Sequence, residues 1–211
     1  MVLIIHFFIG FFTSFLGSIT PSMLNMTALK VSLKYDEKAG NKYALGVSVI
    51  VFFQAYIAIL LSKYILENPA ILETIEKLGV VIFMVLTYYF YRESKKDKIK
   101  TEQNQLKKEN PFFLGITLSV LNMFAIPFFF GVVATFNIFN VFSFDAFPVL
   151  FFMIGSVLGT YFILYFYAKY AKNIQQKTGK LTKDINLVLS LLTAFVAVFS
   201  IIKLLYKFIN S

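Results

Sequence analysis

Ser22-Met23-Leu24-Asn25-Met26-Thr27-Ala28-Leu29 and Ser119-Val120-Leu121-Asn122-Met123-Phe124-Ala125-Ile126 carry Ser, Leu, Asn, Met and Ala in one order at one spacing. Each stretch lies in a long apolar run, with Pro21 before the first and Pro127 after the second. The two copies fall at matching places in two halves of the chain. They predict a duplicated architecture.

The surrounding composition says where that architecture lives. Hydrophobic residues make up 58% of the 211 positions and aromatic residues 18%. The uncharged runs are continuous rather than alternating. That pattern fits membrane-crossing helices and not a water-filled barrel. The chain has no cysteine, which excludes disulfides, thiolate metal sites and thiol-redox chemistry. Its net charge of +9 lies in the loops. There it sets orientation and meets anionic lipid, and it gives no reason to expect nucleic acid. No basic stretch precedes the first apolar run, so that run is read as a retained helix rather than a signal peptide.

Outward from the first copy, Val2 to Leu29 is free of formal charge with His6 neutral. That is longer than one straight crossing needs at ~1.5 Å per residue. Pro21 cannot donate to the carbonyl of Gly17, and Thr20-Pro21 is a start signal for a new helical segment. The first span is expected to kink or break between Gly17 and Pro21. Lys30 to Lys42 reads as a basic loop, and Tyr43 to Ser62 as the second span. The third starts near Pro69 and ends at Tyr91. Arg92 to Glu109 is a polar seam. Pro111 to Asn137, Pro148 to Ala168 and Asp184 to about Lys203 complete six spans.

The expected fold is therefore an all-α integral membrane protein. It has two inverted three-helix repeats, 1–91 and 111–211, joined by a basic loop over 92–110, with helices 1 and 4 kinked or broken. Sixteen of the 20 Lys and Arg residues fall in the first, third and fifth loops. Positive loops stay inside, which places both termini outside a bacterial cytoplasmic membrane. Three helices per half make the second half run opposite to the first, as in many secondary transporters.

Here the chain resembles a known family. Gly17-Ser-Ile-Thr-Pro-Ser-Met-Leu-Asn25, then Lys38-Ala39-Gly40, then Ala44-Leu45-Gly46, is similar to the first helical hairpin of LysE/RhtB-type amino-acid exporters. Asn110-Pro-Phe-Phe-Leu-Gly115 with Leu121-Asn122 resembles that family's fourth helix. One proline stands where the family has two around a glycine, and Met123-Phe124 stand where Pro and Lys are usual. The resemblance implies a carrier that exports an amino acid or similar small zwitterion. It implies no enzyme activity and no cofactor, and it is compatible with a homo-oligomer.

The candidate substrate-binding residues are Thr20, Pro21, Ser22, Asn25, Gln54, Asn122 and Pro127. The amides of Asn25 and Asn122 lie deep in apolar runs, where an unpaired amide costs several kcal/mol. Their partners are freed backbone, another helix or substrate. Pro21 and Pro127 free the carbonyls of Gly17 and Met123, the kind of half-helix end that receives charged groups in transporters. Gln54 faces either the same cavity or a core partner. His6 reads as an interfacial side chain, Tyr88, Tyr89 and Tyr91 as an aromatic belt, and Gly10, Gly17, Gly155 and Gly159 as packing positions. No intramembrane acid pair or nucleophile–base set is present, which argues against a membrane enzyme. It also leaves no carboxylate cage for a metal. The alternatives are an inorganic-ion exporter of the same superfamily, or a membrane scaffold or assembly protein.

Overall fold

The computed structural model describes residues 1–19, 22–68, 71, 84–85, 87–88, 91–92, 110–122, 124–178 and 198. The chain divides into two compact units, one of residues 1–64 with 108–177 and the other of 65–107 with 178–211. Nearly all described residues belong to the first, and the architecture below is that unit's. The third and sixth expected spans, most of the 92–110 seam and the Tyr89 position lie outside the described residues.

Every described element is a helix: α1 (Val2–Gly17), α2 (Met23–Lys34), α3 (Glu37–Glu67), α4 (Pro111–Val120), α5 (Ala125–Ile138), α6 (Ala146–Lys169) and α7 (Ala171–Thr178). Two of them, α3 and α6, are long and apolar enough to cross a membrane alone. The pair α4 and α5 is long and apolar enough only when taken together, with a bend of 64° at its break, and α1 is a shorter apolar helix.

The first break falls where the sequence places it, and the second precedes the proline expected to cause it. α1 ends at Gly17 and α2 starts at Met23, with Ser22 as its N-cap. Leu121 to Phe124 separates α4 from α5. Pro127 does not itself break α5. It occupies the first turn, where a missing N–H removes no intrahelical bond.

The basic segment 30–42 is not a loop. Lys30 and Lys34 lie on α2, whose C-terminal end favours cations. Asp36 then starts α3 at once, its Oδ1 accepting the Ala39 N–H at 2.6 Å. The turn between the two helices is Tyr35-Asp36 alone. Likewise part of the expected fifth loop is helical, as α7. At this end of the unit Ser32 Oγ donates to the Ala168 carbonyl at 2.7 Å. The Lys34 ammonium stands over the Tyr35 ring, and that of Lys169 over Tyr165 and Tyr170. Aromatic faces stabilise cations there without removing them from water.

The core is built on two crossings. In the first, α1 lies on α6. A Cβ on Gly10 would strike the Phe152 carbonyl and stand 3.0 Å from the Ser156 nitrogen, and one on Gly155 would strike the Phe7 carbonyl and stand 2.9 Å from the Phe11 nitrogen. In the second, α4 lies on α3. A Cβ on Gly115 would strike the Tyr43 carbonyl and stand 3.0 Å from the Val47 nitrogen, and one on Gly46 would strike the Phe112 carbonyl and stand 3.2 Å from the Ile116 nitrogen. The registers coincide. In both crossings each glycine meets the carbonyl three residues before the partner glycine and the nitrogen one residue after it. Only glycine permits this backbone-to-backbone approach, which membrane helices use in place of a hydrophobic driving force. A serine follows Gly10 and Gly115 by four residues. Ser14 Oγ pairs with Thr160 Oγ1 at 2.7 Å, and Ser119 Oγ donates to the Val47 carbonyl at 3.3 Å.

Gly10-x-x-x-Ser14 therefore corresponds to Gly115-x-x-x-Ser119. The S-x-L-N-M-x-A echo does not mark equivalent structure. Residues 22–28 are an N-cap and the helix that follows it, whereas 119–125 are the end of α4 and the break after it.

Candidate functional site

The first break exposes carbonyls at the C-terminal end of α1, and two side chains take them. Asn25 Nδ2 donates to the Ser18 carbonyl at 2.6 Å, and the Tyr167 hydroxyl, from α6, donates to the Ile19 carbonyl at 2.9 Å. Asn25 is 1% exposed. Its amide thus meets freed backbone, and its side chain also hydrogen-bonds Tyr167 of another helix. Ser22 caps α2, its Oγ accepting the Asn25 N–H at 3.4 Å. Thr20 and Pro21 lie outside the described residues.

The second break is held from α3. Gln54 Nε2 donates to the Ser119 carbonyl at 2.8 Å, and the Asn122 N–H donates to the same oxygen at 3.0 Å. Gln54 is buried, and its Oε1 has no hydrogen-bond partner among the described residues. A buried amide oxygen left bare costs on the order of 1–3 kcal/mol. Asn122 sits half-buried in the break itself.

α5 leaves that break with no side-chain cap on its first turn. Along it runs an open cavity of about 440 Å³ lined by Pro127, Phe128, Gly131, Val132, Thr135 and Phe136. Gly131 faces empty space, with nothing within 4 Å of where its Cβ would stand. Thr135 Oγ1 donates to the Gly131 carbonyl at 2.7 Å, leaving its oxygen free to accept. The Phe128 ring covers Gly17, the last residue of α1. The cavity wall therefore touches the first break. Pro127 belongs to this wall and is exposed.

Four of the candidate residues thus have defined places: Asn25 and Ser22 at the first break, Gln54 and Asn122 at the second. Pro127 joins the cavity, with Gly131 and Thr135 as lining residues that no sequence motif marked. Tyr167 was missed because a tyrosine near a span end reads as interfacial. Among the described residues no group of three His, Cys, Asp or Glu side chains is placed to hold a metal.

No curated protein and no solved structure matches the chain. The sequence model of the LysE type translocator family matches residues 5–204. With broken apolar helices, glycine crossings and nearly the whole length covered, the chain belongs to the LysE type translocator family and is a membrane transporter.

Proposed function

We propose that this translocator exports amino acids or similar small zwitterions across the bacterial cytoplasmic membrane by alternating access between two inverted halves, 1–91 and 111–211. The observation that carries this reading is the pair of crossings in identical register. In an inverted three-helix repeat the first span corresponds to the fourth and the second to the fifth. The packing of α1 on α6 then corresponds to that of α4 on α3, the pairing observed. Two halves that use one packing solution in opposite senses can exchange roles across a central site.

A zwitterion needs an anion receiver and a cation receiver. The first turn of α5, which no side chain caps, offers the positive end of a helix dipole. The bare Oε1 of Gln54 offers an acceptor for an ammonium. Asn122 lies in the break between them in sequence, and the α5 cavity is roomy enough for a small side chain. Ser22 and Asn25 hold the first break in shape, and Thr20 and Pro21 belong to that segment by sequence. Amino-acid profiling of a deletion strain fed dipeptides tests the substrate class. One amino acid is expected to accumulate inside the cells, and an unchanged profile across all amino acids sinks the reading.

Inward placement of the 16 basic residues in 30–42, 92–109 and 169–183 puts both termini outside. The cysteine-free chain makes this simple to test. Single cysteines at Gln103 and at Ser211 are expected to label from opposite sides of the membrane. Labelling of both from one side refutes the six-span arrangement.

A further inference from the structure

His6 is the one histidine of the chain, and it is fully buried rather than interfacial. Its two ring nitrogens meet backbone groups of opposite kind. Nδ1 lies 2.8 Å from the Val2 carbonyl oxygen, which can only accept, so Nδ1 carries the proton. Nε2 lies 2.8 Å from the Ser143 amide nitrogen, which can only donate, so Nε2 is bare. Neither backbone group can exchange roles. The contact therefore admits one tautomer of the neutral ring and excludes the imidazolium.

Ser143 lies in the seven-residue connection from Phe139 to Asp145 between α5 and α6. Phe142 of the same connection is buried with its ring centroid 4.9 Å from that of His6. Ser143 Oγ donates to Asp145 Oδ2 at 2.8 Å. The histidine thus ties the start of α1 to a segment 137 residues away. The charged groups on the elements around it are the Asp145 carboxylate, exposed and engaged by Ser143, and the Met1 amino group at the start of α1. The first turn of α6 carries no charge. No buried carboxylate among these elements stands ready to compensate a second ring proton.

We infer that His6 is a proton-operated latch on the α5–α6 connection. A proton added at Nε2 sets two N–H donors against each other. It leaves the Ser143 amide without an acceptor and places a charge in a buried site beside the Phe142 ring. The relief is separation: residues 139–145 lift from α1 and the ring reaches water. Neutral conditions close the connection and acid opens it. This inference is independent of the transported substrate.

Hydrogen exchange of the full-length protein in lipid nanodiscs reads the latch directly. Protection at residues 139–145 is measured at about pH 7.5 and about pH 5.5, relative to the intrinsic exchange rate at each pH. Protection of the Ser143 amide is expected to fall by about tenfold or more on acidification. In His6→Gln a side-chain oxygen can accept the same N–H without titrating, so protection is expected to be pH-independent. In His6→Phe the acceptor is absent, and protection is expected to be low at both pH values. Equal protection of the native protein at both pH values overturns the inference. So does an acid response that survives in either variant.

Discussion

Gly155→Leu is expected to prevent α1 from seating on α6, and little intact protein should be recovered from the membrane. The atom in the way is a main-chain carbonyl, that of Phe7, which has no rotamer to adopt. Relief requires the helices to part along the whole crossing, and Gly10 lies in the same contact. Overpacked sites with some freedom to adjust already lose about 1–3 kcal/mol, and this one has none. Because the second crossing repeats the register of the first, Gly46→Leu and Gly115→Leu should be as damaging as Gly155→Leu and Gly10→Leu. Gly131→Ala supplies the contrast, since its Cβ enters open space. It also replaces a poor helix former by the best, so stability is expected to hold or to rise by up to about 1 kcal/mol. The measurement is yield and thermal stability of each variant purified in detergent. Four equal losses against an intact Gly131→Ala support the paired crossings. Tolerance at Gly46 and Gly115 alone would show that the second crossing is not the counterpart of the first.

Asn25→Leu should cost about 1–3 kcal/mol of stability, because the Ser18 carbonyl loses its donor while staying inside the protein. Tyr167→Phe removes the donor to the neighbouring Ile19 carbonyl and should cost about 1 kcal/mol. Both side chains hold one short segment, so the double variant is expected to depart from additivity by at least about 0.5 kcal/mol. Asn122→Leu is expected to behave differently. Its amide stands half-buried in the second break, so stability should change little while flux falls by about tenfold. Thermal unfolding in detergent and flux in proteoliposomes separate the two residues. An Asn25→Leu protein that is fully stable but transports poorly would move Asn25 from the scaffold to the substrate.

The parts of the fold that depend on local chemistry could be read from the chain. α3 and α6 contain the runs 43–62 and 148–168 within their limits, and the break after Gly17 follows from proline and glycine rules acting on neighbours. Charge alone misled at 30–42. Lys30 and Lys34 stand four apart on one helix face and Asp36 caps the next helix, so a loop shrinks to a turn. The echo of 22–29 in 119–126 does not mark the register of the two crossings. Residue identity favours Ser, Leu, Asn and Met, whereas the crossings depend on the absence of a side chain at Gly10, Gly46, Gly115 and Gly155. An isolated glycine in an apolar run carries little sequence signal. The buried amides could be picked out from the chain, but their hydrogen-bond partners could not. Nothing near Asn25 announces Tyr167, and nothing near His6 announces Ser143, because those contacts close only when distant helices pack.

The glycine crossings also fix how this protein can deform. Two helices in main-chain contact cannot slide without a carbonyl meeting a carbonyl, so α1 with α6, and α4 with α3, behave as stiff beams. The joints lie between α1 and α2 and between α4 and α5, where side chains hold the carbonyls of Ser18, Ile19 and Ser119. Bending strain is thereby confined to two joints. The second lies next to the amides and the open helix end that a small zwitterion would engage. A ligand bound there would act on the hinge itself, with the beams serving as lever arms that carry a small local rearrangement to the ends of the helices.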